Sequence, residues 1–315
     1  MNRIAITGST GLVGKELAKH FIQQGKSVVC IARDVTKVHA DAEKFQVQGI
    51  DGDTNYGDCL KEVDCVIHCA AHCHQTGADA DLSEETFTRI NTDGTINLAK
   101  QALQAGVKRF VFVSTIKVFG EGNPVDKPYS LNDTPMPEDA YGVSKLTAEK
   151  ALKEMCNEAE MDWVTIRCPL IYGPGVKANF LSLINIVKKR IPLPFGSVKN
   201  RRSMLYLGNL VHLIETCMQA EAASNQIFLA SDDDDVSTGQ MIRHIAKGLG
   251  IKPVLLPVSA GLLSGMLGLL GKRHVADRVL GSLSMDISET KRILQWTPPY
   301  SIEEGIAVTL KEFKK

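Results

Sequence analysis

Tyr141-Gly142-Val143-Ser144-Lys145 sets a phenol and an ammonium four residues apart, which on a helix means one face. A phenol with its ordinary pKa of about 10 is a poor base at neutral pH, and a neighbouring positive charge favours the phenolate. Tyr141 and Lys145 therefore read as an acid/base unit for a hydroxyl whose carbon gives or takes a hydride. Ser114 and Thr115 close an apolar run that starts at Phe110, the position from which a hydroxyl reaches the same substrate oxygen. A YxxxK string is common by chance, so its weight comes from its company.

That company is a binding motif. Thr7-Gly8-Ser9-Thr10-Gly11-Leu12-Val13-Gly14 follows a short apolar run and opens an amphipathic stretch. Gly8 permits a tight strand-to-helix turn, Gly11 lets backbone approach a pyrophosphate, and Gly14 allows close helix packing. The N–H groups around Leu12 and Val13 face the ligand at the positive end of the helix. The spacing is GxxGxxG rather than GxGxxG, and an ordinary turn is the competing reading. Its place at the first strand-helix junction favours dinucleotide binding.

The elements that must position these residues alternate in the βαβ manner. Ile4 to Thr7, Ser27 to Ala32, Cys65 to Cys69, Phe110 to Ser114 and Trp163 to Arg167 read as strands; Val13 to Gln24, Asn91 to Ala105 and Tyr141 to Ala159 read as helices. Continuous apolar strands are buried on both faces, so the expected fold is α/β, a Rossmann doubly wound parallel sheet with a smaller C-terminal α/β domain. The boundaries expected are 1–169 for the cofactor domain, with 205–232 returning to it, and 170–204 with 233–315 for the substrate domain. Leu205 to Gln219 reads as a helix, Ile227 to Ala230 as a strand, and Asp232 to Asp235 as a solvated turn.

The second strand ends Ile31-Ala32-Arg33-Asp34. Ala32 cannot accept hydrogen bonds from a ribose, whereas Arg33 suits a 2′-phosphate, which favours NADP over NAD. Asp34 keeps NAD open, and a plain surface arginine is the alternative for Arg33. Asp53 and Thr54, after the third strand, are placed to reach the adenine, against the reading of a loop acid with no role.

Length, composition and charge bound the rest. The chain has 315 residues, 44% hydrophobic and 23% charged, with 36 basic and 36 acidic residues in balance. This is the profile of a globular protein of one large or two joined domains, and it gives no support to a nucleic-acid binder. Eight cysteines without a CxxC pair read as reduced thiols, and a strand beginning at Ile4 leaves no room for a signal peptide, so a cytoplasmic protein is expected. Val254 to Gly271 resembles a membrane segment, but Pro257 and Ser259 leave about a dozen apolar residues where a span needs about 20. A buried or substrate-capping helix is expected there instead. His68, Cys69, His72, Cys73 and His74 suggest a soft-metal site only weakly; His68 to Ala71 read better as the end of a strand lining a cofactor, and no metal is expected.

Taken together, TGxxGxxG, His68-Cys69-Ala70-Ala71, Ser114-Thr115 before Val118-Phe119-Gly120, and YxxxK resemble the extended short-chain dehydrogenase/reductase superfamily, in its nucleotide-sugar epimerase, dehydratase and reductase branch. The resemblance spans essentially the whole chain. It implies that Thr115 orients the substrate, Tyr141 is the acid/base, and Lys145 tunes Tyr141 and bonds the nicotinamide ribose. It places Ala70, Ala71, Asn91 and Pro169 beside the cofactor, although a helix-start role suits Asn91 equally. It makes Ser114 and Asn179 substrate contacts and gives Arg202 and Arg278 to a diphosphate, which guanidinium forks bond bidentately. A surface charge is the alternative for each arginine.

In the dehydratases of this branch an Asp-Glu pair follows the catalytic threonine; here Ile116-Lys117 stands there, so elimination lacks its acid and base. The implied activity is NAD(P)-dependent chemistry at C4 of a UDP-sugar, most closely a 4-keto-6-deoxy-hexosamine reductase. The alternatives are a UDP-hexose or N-acetylhexosamine 4-epimerase with tightly held NAD, and a non-catalytic NADP sensor. A homodimer is expected.

Overall fold

The computed structural model describes residues 1–73, 83–157, 159–271 and 273–314; His74 lies outside them. Seven strands form one parallel sheet: β1 (Arg3–Thr7), β2 (Ser27–Ala32), β3 (Glu43–Gln46), β4 (Cys65–His68), β5 (Arg109–Thr115), β6 (Asp162–Cys168) and β9 (Gln226–Leu229), in the order β3-β2-β1-β4-β5-β6-β9. The order reverses between β1 and β4. In an open α/β sheet the crevice at the carboxyl ends of such a pair is where ligands bind.

The strands bury both faces because their apolar runs are continuous. Ile4 and Ile6 join the core on one side, with Leu17 and Phe21 of α1 (Leu12–Gln23) and Leu210 and Ile214 of α6 (Leu207–Gln219). Ala5, Phe110 and Phe112 face the other side, where Leu98 and Ala102 of α3 (Gly94–Gln104) and Ala148 and Leu152 of α4 (Ala140–Asn157) cover them. The alternation of strand side chains thus divides one sequence run between two cores. A π-helical turn, Thr88–Asp93, leads into α3 after the short α2 (Glu84–Phe87).

A third core forms beyond the sheet. Phe180 and Ile184 of α5 (Ala178–Lys188), Ile242 and Ile245 of α7 (Thr238–Leu249) and Ile306 of α11 (Ile302–Thr309) close around Tyr172 and Tyr206. Ser237 with Gln240, and Ser301 with Glu304, form reciprocal capping boxes that start α7 and α11. The chain also forms α8 (Ala260–Leu269), α9 (Arg273–Leu280) and α10 (Ser288–Leu294).

Three expectations are corrected. Leu205 and Tyr206 are not helical: with Met204 they form β8 (Met204–Tyr206), paired in parallel with β7 (Leu170–Tyr172), and the helix begins only at Leu207. The turn at Asp232 to Asp235 is not simply solvated. Asp232 is buried, accepting from the Tyr172 hydroxyl, the Tyr206 N–H and the Asn209 amide, and Asp235 accepts from Ser203. Burial pushes the Asp232 carboxyl up to about 6. Finally, the apolar stretch Val254 to Gly271 begins as extended chain bonded to Leu193 and Gly196 and becomes helical only as α8. Among the described residues no helix is long and apolar enough to cross a membrane.

Candidate active site

The glycine turn sits at the reversal of strand order. Gly8 holds φ at +68°, a left-handed conformation, and a Cβ there would meet the Ala70 backbone nitrogen at 2.7 Å; only glycine fits both demands. A Cβ at Gly14 would lie 2.3 Å from the Gly8 carbonyl oxygen, so α1 packs directly on the turn. The N-terminus of α1 has no side-chain cap, because Gly11 stands at the capping position. Helix geometry leaves the first N–H groups, those of Leu12, Val13 and Gly14, without intrahelical acceptors. This cradle fits a pyrophosphate.

Behind it lies a polar chain that sequence reasoning missed. Thr95 donates to the Asn91 carbonyl and so accepts from His68 Nε2 at 3.0 Å, leaving His68 Nδ1 to accept from Thr7 at 2.6 Å; Ala70 N–H in turn approaches Thr7 Oγ1. Burial, aided by Lys145, lowers the His68 pKa to about 3, so the ring is a neutral fixture joining β1, β4 and α3. Its signal was an isolated histidine ending an apolar strand.

Around the adenosine side, Arg33 is exposed at the end of β2. Asp34 is committed locally: it accepts from Thr36 and pairs with Lys37 at 2.7 Å. Asp53 is exposed, while Thr54 is held by Asp51 and passes its carbonyl to Asn97 and Gln101 of α3. Ala71 lies exposed beyond β4, and Pro169 is buried between β6 and β7.

At the end of β5 the candidate acid/base groups converge. Tyr141 and Lys145 stand one turn apart near the start of α4, and the Thr115 hydroxyl hydrogen-bonds the Tyr141 phenol. Lys145 is buried; its Nζ donates to the Val113 carbonyl at 2.8 Å and lies 3.9 Å from the centre of the Phe112 ring. Removal from water lowers its pKa to about 8, against the opposing pull of Glu149. Burial pushes the Tyr141 phenol up, with Cys73, Cys168 and Asp139 adding to the rise and the Thr115 hydrogen bond opposing it. The expected lowering by Lys145 is not among the effects on the phenol, where desolvation dominates and only the Thr115 hydrogen bond opposes it. The protein alone holds Tyr141 as a proton donor.

Two carried-over residues are used differently. Ser114 turns away from Thr115 and hydrogen-bonds Glu149, whose carboxylate is forked by Arg167 at 2.7 Å inside the core. Successive side chains of a strand point to opposite faces, so Ser114 and Thr115 cannot both reach one substrate oxygen. Asn91 clamps the backbone of His72 in both directions and donates to Ser144. At the dehydratase positions, Ile116 is buried and Lys117 is paired with Asp139 and Glu121.

On the far side, Asn179, Arg202 and Arg278 come together from α5, the strap before β8, and α9. Arg202 donates to the carbonyls of Arg278 and Gly281, and Arg278 reaches Asn179 Oδ1 at 3.5 Å. Among the described residues neither guanidinium has an ion pair within 4 Å. Burial lowers the Arg202 pKa, with Glu121 opposing the fall and the neighbouring Arg278 charge adding to it. Two cations held side by side form a site for an anion. Ala178, just before Asn179, holds φ at +52°, a strained position for a residue with a Cβ that places the start of α5.

The model of the NAD dependent epimerase/dehydratase family matches residues 4–230. The chain is 43% identical to a UDP-glucose 4-epimerase of Vibrio cholerae over 98% of its own length and 95% of the relative's. The chain belongs to the NAD dependent epimerase/dehydratase family. Among solved structures, MoeE5 in complex with UDP-glucuronic acid and NAD aligns with a TM-score of 0.78 at 23% identity, covering 99% of each chain. A UDP-N-acetylglucosamine 4-epimerase from Bacillus cereus aligns with a TM-score of 0.78 at 20% identity over 100% of this chain and 98% of that one.

In this epimerase/dehydratase enzyme the sequence also leaves Glu149 and Arg167 unread. Glu149 lies four residues beyond Lys145, on the face already carrying Tyr141, so the same spacing rule finds it. Arg167 carries no local mark, since its partner is 18 residues away on another element.

Proposed function

We propose that the chain is an NAD-dependent UDP-sugar 4-epimerase. The observation that carries this reading is the 43% identity to a UDP-glucose 4-epimerase across nearly the whole of both chains, which favours epimerisation over the 4-ketosugar reductase suggested by local motifs. The geometry agrees with a single proton carrier. Thr115 orients a sugar hydroxyl toward Tyr141, and Tyr141 moves the proton at its phenolic oxygen in both directions. With Ile116 buried and Lys117 ion-paired, elimination has no acid/base pair at the dehydratase positions.

A bound oxidised nicotinamide supplies the hydride acceptor at the sugar carbon and, by its positive charge, favours the Tyr141 phenolate. The chain holds such a dinucleotide through the N–H groups of Leu12, Val13 and Gly14 at a turn made by Gly8 and Gly11, with Asp53 and Thr54 toward the adenine and Ala70, Ala71 and Pro169 along its path. Asn91 supports this wall by fixing His72. Lys145 reaches the nicotinamide ribose. Arg33, exposed at the end of β2, gives a 2′-phosphate a partner, so NADP is the second cofactor reading. Asn179, Arg202 and Arg278 take the diphosphate of the sugar nucleotide. Residues 1–169 with 205–232 serve the cofactor, 170–204 with 233–315 the substrate, and the working form is a cytoplasmic homodimer.

The test is to denature the purified protein, identify the released nucleotide by mass spectrometry, and incubate native protein with UDP-galactose. Released NAD and UDP-glucose formed without net NADH are expected. Stoichiometric NADPH oxidation with a UDP-4-keto-6-deoxy-N-acetylhexosamine, and no epimerisation, would return the reductase.

A further inference from the structure

Charge is unevenly spread in this neutral chain. Residues 163–214 and 236–276 contain thirteen Lys and Arg and no Asp or Glu, so every acid of the protein lies elsewhere. The fold puts the two segments together: Leu193 bridges Leu255, Arg202 bridges Val236, and α5 packs on α7. Lys188, Lys189, Arg190 and Lys252 are exposed on the resulting basic lobe.

The same lobe carries α8. Leu263 points inward, but Leu262, Met266, Leu269 and Leu270 are 59%, 54%, 91% and 68% exposed. Their spacing, i, i+4, i+7 and i+8, makes one outward apolar stripe. Val254, Leu256 and Ile191, in the chain that leads to α8 and the strap paired with it, are exposed as well. Added Cβ atoms at Gly261, Gly265 and Gly268 would meet nothing within 4 Å, so among the described residues nothing packs on these glycines either.

We propose that this face docks the enzyme on an anionic phospholipid surface, with the α8 stripe entering the headgroup boundary and the basic lobe facing the lipid phosphates. Exposed apolar side chains on a helix too short to span, together with exposed lysines and arginine on the same lobe, suit the boundary of an anionic headgroup layer. The charge argues against a second copy on this face, because pairing would bring together two sets of exposed Lys188, Lys189, Arg190 and Lys252, none of which is ion-paired among the described residues. Arg278 lies on α9, packed against α8, so the anion site of the active centre opens beside the docked face. The inference does not depend on which sugar is turned over.

The experiment is co-sedimentation of the full chain with vesicles of phosphatidylcholine alone and of phosphatidylcholine with about one third phosphatidylglycerol. Expected are binding to the anionic vesicles only, weakening as salt is raised, and at least a tenfold loss (~10-fold, from two desolvated leucines) in Leu262→Glu/Leu269→Glu. Both positions are exposed, and turnover of the free nucleotide sugar by this variant should equal that of the parent, which shows that it is folded. Recovery of the parent chain in the supernatant with both vesicles overturns the proposal. So does equal binding by the variant, or a self-associated parent that the variant dissociates without any vesicle binding.

Discussion

The two halves of the molecule solve different problems. In the sheet half, the buried polar groups are locked by neighbours: His68 between two threonines, Lys145 between a carbonyl and a ring, Glu149 between Ser114 and Arg167. In the other half, Asn179, Arg202 and Arg278 stand on three separate segments, with no acid paired to either arginine among the described residues. The difference teaches that proton transfer needs preorganised groups whose desolvation has already been met. Anion capture needs positive charge left unneutralised until the ligand arrives.

The sharpest way to break this comparison is Tyr141→Phe. It should lower kcat by about a thousandfold, the scale of lost acid/base catalysis, while bound NAD measured after denaturation stays near stoichiometric. Full activity in this variant would remove the single-carrier mechanism. Arg278→Ala should act on the other side of the contrast, raising KM for the nucleotide sugar about tenfold or more, as loss of a charged hydrogen bond does, with kcat little changed. Added salt should raise the parent KM more than that of the variant. A fall in kcat with unchanged KM would put Arg278 with the chemistry instead.

Lys145→Met sharpens the point about desolvation. The lysine pKa falls from its ordinary 10.5 to about 8 in the folded protein, so between those values the unfolded chain holds a proton that the folded chain has lost. Stability of the parent must therefore rise as pH climbs from 8 to 10.5, with the burial cost fully present below 8. The inactive variant should lack that rise and be at least as stable as the parent at pH 7 in thermal unfolding. A parent that loses stability relative to the variant above pH 8 would contradict the assigned shift. The smallest effect is at the rim: Arg33→Ala should weaken NADPH more than NADH in competition binding by a fewfold, and equal losses would leave Arg33 a surface charge.

Much of this was legible before any coordinates. The apolar runs gave the central strands to within a residue or two because burial on both faces leaves no polar interruption. The edge strand β3, Glu43-Lys44-Phe45-Gln46, is largely exposed and has no such run, so only its parallel pairing with β2 reveals it. Leu205 and Tyr206 read as helix because an apolar pair beside a helical stretch has no period of its own; pairing with residues 171–172 decides otherwise. The Tyr141, Lys145 and Thr115 unit was readable from spacing, since one helix and one strand end carry it. Ser114 and Thr115 read as one pair from spacing, but adjacent residues on a strand face opposite ways, and Ser114 bonds Glu149 instead. The Asp232 knot and the Arg167 to Glu149 pair depend on contacts between distant elements, which no local pattern encodes.

The account rests most heavily on one tyrosine serving both directions of a reaction in which the sugar carbon recovers what it gave up. The direct measurement is conversion of UDP-glucose carrying deuterium at C4, followed by mass spectrometry of the UDP-galactose formed. The account predicts deuterium retained at C4 through many turnovers with no NADH accumulating. Loss of the label to solvent, or absence of any galactose product while a 4-ketosugar is reduced at the expense of NADPH, would contradict it.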